Sequence, residues 1–269
     1  MKVFLTGASK GIGLATAQLL TERGDQVWGT SRSPARIPQL RGLHPVGLDL
    51  RDKSSLGEAF QAALQAAGGA FDVVINNAGS GHFGPGEFLS AEVVLDQFQT
   101  VTFAHIELCQ LALASMRKQN AGRIINVTSL ASRLPVPFMA AYNAAKAAMA
   151  SYTMTLQLEL EGSAIRVIDL QPADICTEFN APIVATDGGD LRYARLVEKT
   201  WQIVDRNLKT APKPDLVARK IAKVIDQRNP PARVTVGNLF QSRVAPFIFR
   251  FLPQPVRIWG LKNYYGLPR

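Results

Sequence analysis

The chain has 269 residues, 47% of them hydrophobic and 19% charged, with a mean hydropathy of +0.04. That is the composition of a globular domain with a full core, and it excludes a disordered, collagenous or fibrous chain. The formal net charge of +9 arises entirely in residues 213–269, which hold 11 basic residues against Asp215 and Asp226, while residues 1–212 balance at 19 of each sign; a neutral body with a basic tail lacks a duplex-binding surface, so nucleic acid is not an expected partner.

Val3-Phe4-Leu5 reads as a first strand, followed by a helix whose Ile12, Ala15, Thr16, Leu19 and Leu20 keep helical spacing until Gly24 stops it. Val27-Trp28 marks a second strand. Short Val/Ile/Leu-rich strands are expected near Pro45 to Leu48, Phe71 to Ile75, Arg123 to Val127, Ile165 to Leu170 and Arg233 to Val236. Helices fall between them, among them Ser55 to Ala67 with a Ser55/Glu58 capping box. This alternation predicts a doubly wound α/β fold, a parallel sheet covered on both faces, with ligands outside the carboxyl ends of the strands. One domain is expected: residues 1–237 form its body, 174–212 a covering segment, and 238–269 a basic aromatic tail. Met139, Met149 and Met154 are expected as core fillers, and His82 and His105 as packing residues without a nearby carboxylate. Cys109 and Cys176 show no metal-ligand rhythm, which points to a reducing, cytoplasmic setting and no metal. No apolar run approaches the ~20 residues of a membrane span.

Directly after the first strand, Thr6-Gly7-Ala8-Ser9-Lys10-Gly11-Ile12-Gly13 opens the first helix. Glycines there let the backbone turn tightly and approach a pyrophosphate, whose charge meets the N–H groups of the helix N-terminus; a glycine turn without ligand is the alternative. At the end of the second strand, no Asp or Glu occurs between Asp25 and Asp49 to hold a free ribose 2′-hydroxyl, whereas Arg32 and Lys10 suit a 2′-phosphate. NADP(H) is therefore the expected cofactor unless both cations are simply solvated. Tyr142 and Lys146 stand at i and i+4 in an alanine-rich helical stretch, so an ammonium shares a helix face with a phenol and is expected to lower its pKa of about 10. Ser129 ends the strand Arg123 to Val127 on the ligand side of the sheet.

The glycine spacing resembles the TGxxxGxG of the short-chain dehydrogenase/reductase family, and Ser129 and Tyr142 match the separation of its catalytic Ser and Tyr. Asn76-Asn77-Ala78-Gly79 is similar to its NNAG run, Asp49 stands where an Asp contacts adenine, and Pro172-Ala173-Asp174-Ile175-Cys176-Thr177 stands where Pro-Gly and a Thr lie near the nicotinamide. For each of these alone a turn or a helix cap is the alternative. The resemblance implies a Rossmann-type fold and a hydride transfer between nicotinamide and a carbonyl or secondary alcohol. Tyr142 would act as acid or base, Ser129 would hydrogen-bond the reacting oxygen, and Lys146 would hold the ribose. Gly7, Ser9, Lys10, Gly11, Ile12, Gly13, Arg32, Asp49, Leu50, Asn77, Ala78, Gly79, Tyr142, Lys146, Pro172, Ile175 and Thr177 would line the cofactor. A homodimer or homotetramer is implied as well.

The chain departs from that pattern at Val101, where the family has an Asn that anchors a proton-relay water; Thr100 and Thr102 lie about 100° round a regular helix and would not replace it. Phe83 and Gly84, in the loop after Gly79, are candidates for the substrate cleft, the alternative being an exposed turn aromatic. Asp187-Gly188-Gly189-Asp190, with a helix from Tyr193 to Leu208, resembles a mobile cover over substrate. The tail sets Phe240, Phe247, Phe249, Phe251, Leu252, Ile258, Trp259, Tyr264 and Tyr265 among widely spaced arginines, with prolines at 246, 253 and 255 that prevent one long helix. It resembles members acting on hydroxysteroids, retinoids or lipid-like ketones, so a hydrophobic carbonyl or alcohol is the expected substrate. Short apolar pieces with basic flanks also suit peripheral contact with anionic lipid, the alternative being a tail packed on its own domain or on a neighbouring subunit. The competing function is a dinucleotide sensor with weak or no turnover on the same fold.

Overall fold

The computed structural model describes residues 1–177 and 191–268. Among them, seven parallel strands form one sheet: β1 (Lys2–Leu5), β2 (Gln26–Ser31), β3 (Leu43–Gly47), β4 (Val73–Asn76), β5 (Gly122–Val127), β6 (Ile165–Pro172) and β7 (Arg233–Val236), in the order β3-β2-β1-β4-β5-β6-β7. The order reverses between β1 and β4, so a crevice opens at the carboxyl ends of those two strands. Helices α1 (Gly11–Glu22) and α7 (Asp215–Asp226) cover one face. Helices α2 (Lys53–Ala66), α4 (Ala104–Gln119) and α5 (Ala140–Glu159) cover the other, with α3 (Ala91–Phe98) before α4. The doubly wound α/β architecture expected from the alternation is the architecture present.

Burial on both faces explains why the strands read as continuous apolar runs. In β1, Val3 and Leu5 join the core under α1 and α7, whereas Phe4 points to the opposite core and meets Phe60 of α2 at 5.0 Å and Phe71 at 5.4 Å. The same two-residue alternation sends Ile75 and Ile125 one way and Val74 and Ile124 the other. Some local expectations shift. The cap of α2 is Asp52, whose carboxylate accepts from the Ser54 backbone N–H at 2.9 Å, so the helix starts two residues before the Ser55/Glu58 box. Strand β3 begins at Leu43, since Leu43 itself pairs with Val27.

Past the sheet, α6 (Leu191–Thr210), α8 (Ala245–Phe251) and α9 (Gln254–Tyr264) gather beside the carboxyl ends of β5, β6 and β7. The helix from Tyr193 to Leu208 is there, within α6, while residues 178–190 of the expected cover, Asp187-Gly188-Gly189-Asp190 included, lie outside the described residues. Pro253 does end α8, but Pro246 does not break its helix. A π turn at Phe240–Val244 runs directly into α8 and accommodates the N–H that Pro246 lacks. Met139 and Met149 are buried as expected; Met154 is 51% exposed, because it lies on the outer face of α5. Phe83 is fully buried against Trp201 and Phe138, so it is a packing residue and does not line a cleft.

Candidate active site and its relatives

The glycine turn is locked by backbone and by one hydroxyl. Thr6 Oγ1 accepts from the Asn77 and Ala78 backbone N–H groups at 2.9 Å each, and Asn77 Nδ2 donates to Thr6 O at 2.9 Å. Gly7 adopts φ +74°, and a Cβ on Gly13 would collide with the Gly7 carbonyl and lie 2.7 Å from Asn77 Nδ2. Only glycine allows that approach. The side chain of Asn77 thus holds the turn in shape, so Thr6, unassigned from the sequence, is the residue that joins the two motifs.

A single cavity of about 650 Å³ starts at this turn. Its walls include Gly7, Ser9, Lys10, Gly11 and Ile12 of the turn, Arg32, Asp49 and Leu50 after β2 and β3, and Ala78 and Gly79 after β4. They also include Pro172, Ile175 and Thr177 after β6. Gly13 is packed behind Gly7 and takes no part in the lining. Asp49 is engaged by Arg51, at 2.7 Å, and the Arg51 guanidinium holds the Asp49 carboxyl below its usual range, with Arg32 adding to the effect. Arg51 is a third cation on this rim, and its place two residues after Asp49 was the available signal.

Ser129, Tyr142 and Lys146 line the same cavity. Ser129 leaves β5 in an extended conformation, its hydroxyl hydrogen-bonded to the Tyr142 phenol and accepting from Ala131 N–H at 3.0 Å. Lys146 is buried, donates to the Val127 carbonyl at 2.8 Å, and places its ammonium 5.8 Å from the Tyr142 ring centre. Burial pulls the Lys146 pKa down to about 8. The expected lowering of the tyrosine is not what this environment produces: burial pushes the Tyr142 phenol up to about 12, and the nearby Asp174 carboxylate pushes the same way. Burial is the largest of these effects, and the hydrogen bond to Ser129, which acts in the lowering direction, does not offset it.

Val101 is fully buried beside Gly79, where an added Cβ would meet Val101 Cγ2 and Lys146 Nζ at 3.8 Å each. The regular helix assumed around it is absent. Residues Gln99–Phe103 form a π turn between α3 and α4, which carries Thr102 onto α5, where its hydroxyl donates to Ala145 O at 3.0 Å. Thr100 stays on the cavity wall but donates to Asp96 O. His105 is buried, its ring within 3.3 Å of Val101 O and 3.5 Å of Thr6 Oγ1, and burial drives its pKa down to about 3, so it is a neutral packing residue. His82 does have a carboxylate near it, Asp96 at 3.9 Å, because α3 folds back toward the loop after β4.

Beyond Tyr142 the wall passes to α6, α8 and α9. Trp201, Val204, Ile248, Phe249, Leu252, Val256 and Leu261 give it an apolar lining, and Asp174, Gln241 and Tyr264 form a polar cluster at the junction. Gln241 Nε2 donates to Asp174 at 2.5 Å and to the Tyr264 hydroxyl at 3.3 Å, and Asn207 donates to that hydroxyl at 3.1 Å. No sequence pattern marks this cluster, which is assembled from four separate segments.

The sequence model described as short chain dehydrogenase matches residues 1–188. The chain is 33% identical over 268 residues to the 3-ketodihydrosphingosine reductase of Bacteroides thetaiotaomicron, covering 98% of each. Among solved structures, a short-chain dehydrogenase from Streptomyces avermitilis superposes with a TM-score of 0.80 at 25% identity, over 97% of this chain and 93% of that one. The closed form of serine dehydrogenase complexed with NADP+ gives 0.75 at 26% identity, over 90% and 96%. With the glycine turn and the Ser129, Tyr142, Lys146 cluster in one cavity, these similarities lead to one conclusion: the chain belongs to the short-chain dehydrogenase family of oxidoreductases, whose fold binds a nicotinamide dinucleotide.

Proposed function

We propose that the protein is an NADPH-dependent reductase that converts a lipid-like ketone to a secondary alcohol, with Tyr142 as the acid. The observation that carries this reading is the continuity of the cavity from the glycine turn, past Tyr142, to the apolar lining of α8 and α9. The turn fits a dinucleotide: its crowded glycines bring backbone close to the cavity, and the first turn of α1 holds no acidic residue. Lys10, Arg32 and Arg51 on the rim favour the 2′-phosphate of NADP(H) over NAD(H). When bound, NADPH supplies the hydride.

The chain's own residues do the rest. The Ser129 hydroxyl, already hydrogen-bonded to the phenol, orients a carbonyl oxygen toward Tyr142 Oη. A phenol is protonated at neutral pH and can deliver its proton to that oxygen. The Lys146 ammonium, fixed by Val127 O, stabilises the phenolate that remains. Thr177, whose side chain comes within 3.5 Å of a Cβ placed on Gly11, closes the cavity over the turn. The substrate class is supported by the apolar lining and by the name of the Bacteroides thetaiotaomicron relative. Oxidation of NADPH by a panel of aldehydes, steroid ketones and long-chain ketones tests the reading, with the highest kcat/KM expected for the long-chain ketones. NADPH binding without turnover of any of them makes the protein a dinucleotide sensor instead.

The same tail supports a collecting surface for such a substrate. Phe240, Phe247, Ile248, Phe251, Ile258 and Trp259 are exposed, Arg243, Arg250, Arg257 and Lys262 lie among them, and no acidic residue follows Asp226. An anionic bilayer complements that face, at about 1 kcal/mol per basic residue near the surface. None of the described helices is long and apolar enough to cross a membrane, so the contact is peripheral. Sedimentation with anionic vesicles at low salt but not at high salt is the expected result; protein left in the supernatant at both makes the tail a lid or a subunit contact. The reading also takes the protein as cytoplasmic, which suits the free thiols of Cys109 and Cys176, and as a homodimer or homotetramer, which light scattering checks.

A further inference from the structure

Among the described residues, three carboxylates line the cavity: Asp49, Asp96 and Asp174. Asp49 has Arg51 and Asp96 has His82, but no described lysine or arginine forms an ion pair with Asp174. Asp174 follows the end of β6, half-buried, at the point where the cavity passes from Tyr142 to the apolar lining. Its Oδ2 is fixed by Gln241 Nε2 at 2.5 Å, a neutral donor that aims the carboxylate, and none of the ion pairs among the described residues includes it. That charge is felt at Tyr142, Tyr264 and Tyr265, whose phenols it pushes up. Burial pushes Asp174 up as well, the usual strain of a carboxylate away from water without a cation.

A negative charge beside the acid of a reductase is unfavourable for the reaction, because donation of the Tyr142 proton leaves a second negative charge next to it. A cation on the substrate removes the conflict. We propose that Asp174 is an ammonium subsite, so that the ketone reduced here carries a protonated amine next to its carbonyl, held by Asp174 while Ser129 and Tyr142 take the carbonyl oxygen. The amine then serves binding and chemistry together: it neutralises Asp174 in the bound state and relieves the phenolate that forms. This inference rests on the reading of the cavity as a ketone reductase site.

The probe pair is 3-ketodihydrosphingosine, an α-amino ketone, and the same long-chain ketone without its amine. Asp174→Asn is nearly isosteric and can still accept from Gln241, so the tail junction keeps its hydrogen bond, and thermal unfolding checks that it does. With NADPH, the variant is expected to lose about thirtyfold or more in kcat/KM on the amino ketone. On the deaminated ketone it is expected to equal or exceed the wild type, since the charge opposing the phenolate is gone. A structural role would lower both substrates alike, and that result, or an unchanged ratio between them, overturns the proposal. If the wild type turns over neither ketone, the reductase reading fails by itself. The subsite is then decided by fluorescence titration, with Trp201 in the cavity wall, of a long-chain 2-amino alcohol against the matching alcohol. Preference for the amine that Asp174→Asn abolishes sustains the subsite, and equal binding by the wild type rejects it.

Discussion

The two ends of the cavity are built by different means. At the glycine turn the shape is made of backbone: Thr6 Oγ1 collects two N–H groups from the end of β4, and Gly7 and Gly13 touch where no side chain fits. At the far end the shape is made of side chains from α6, α8 and α9, joined through Asn207, Gln241, Asp174 and Tyr264, with large apolar groups left open to solvent outside. A backbone cradle tolerates almost no change and accepts one kind of ligand. A wall of side chains can be repacked residue by residue, so it is the part suited to selecting the substrate.

The sharpest way to break this contrast lies between the two ends. Tyr142→Phe removes the transferable proton and leaves both ends in place, so carbonyl reduction is expected to fall by about 10²–10⁴ while NADPH binding, followed by calorimetry, changes little. Retained turnover would sink the assignment of the acid. Next is the cradle itself. Gly13→Ala puts a methyl group into the Gly7 carbonyl, and an overpacking cost of about 1–3 kcal/mol is expected in thermal unfolding, together with loss of NADPH binding. An equally drastic loss from substituting exposed Phe247 would remove the distinction between the two ends.

On the rim of the cradle, Arg32→Asp is expected to weaken NADPH by about 1.5–3 kcal/mol and NADH far less, since a charge-assisted contact is lost only where a 2′-phosphate is present. Equal losses for the two cofactors would take Arg32 out of that role. A smaller and graded effect concerns pH. Burial lowers Lys146 to about 8, so its ammonium is present below that value and is lost as pH rises through it. Reductive kcat/KM is expected to decline above about pH 8, and a profile flat to pH 10 would show that the Lys146 charge is not needed. The smallest effect belongs to the tail. Phe251→Ser, at a side chain 68% exposed, should shift stability by no more than about 0.5 kcal/mol while reducing vesicle association.

The fold was legible because a parallel sheet buried on both faces writes itself as short apolar runs: Val3 to Leu5, Val73 to Ile75 and Ile124 to Val127 all lie in strands where apolar density placed them. The glycine turn, Ser129, Tyr142 and Lys146 were legible for a related reason. Their geometry depends on local spacing along one strand end or one helix, and spacing is what a sequence displays. Elsewhere local rules were overruled by packing. The cap of α2 moved to Asp52, Met154 turned outward, and a π turn at Gln99–Phe103 replaced the regular helix assumed around Val101.

What the amino-acid order determined by itself is the alternation of elements, the glycine turn and the positions of Ser129, Tyr142 and Lys146, because each is set by neighbours in the chain. Only the tertiary structure decided the protonation bias of that trio and the make-up of the apolar end of the cavity. The height of the Tyr142 pKa is a matter of burial and of Asp174, whose residues come from α5 and the segment after β6. The cluster of Asn207, Gln241 and Tyr264 around that carboxylate joins α6, the π turn before α8, and α9. Desolvation and through-space charge depend on distance in three dimensions, and residues that lie far apart in sequence carry no mark that they will share a low-dielectric site.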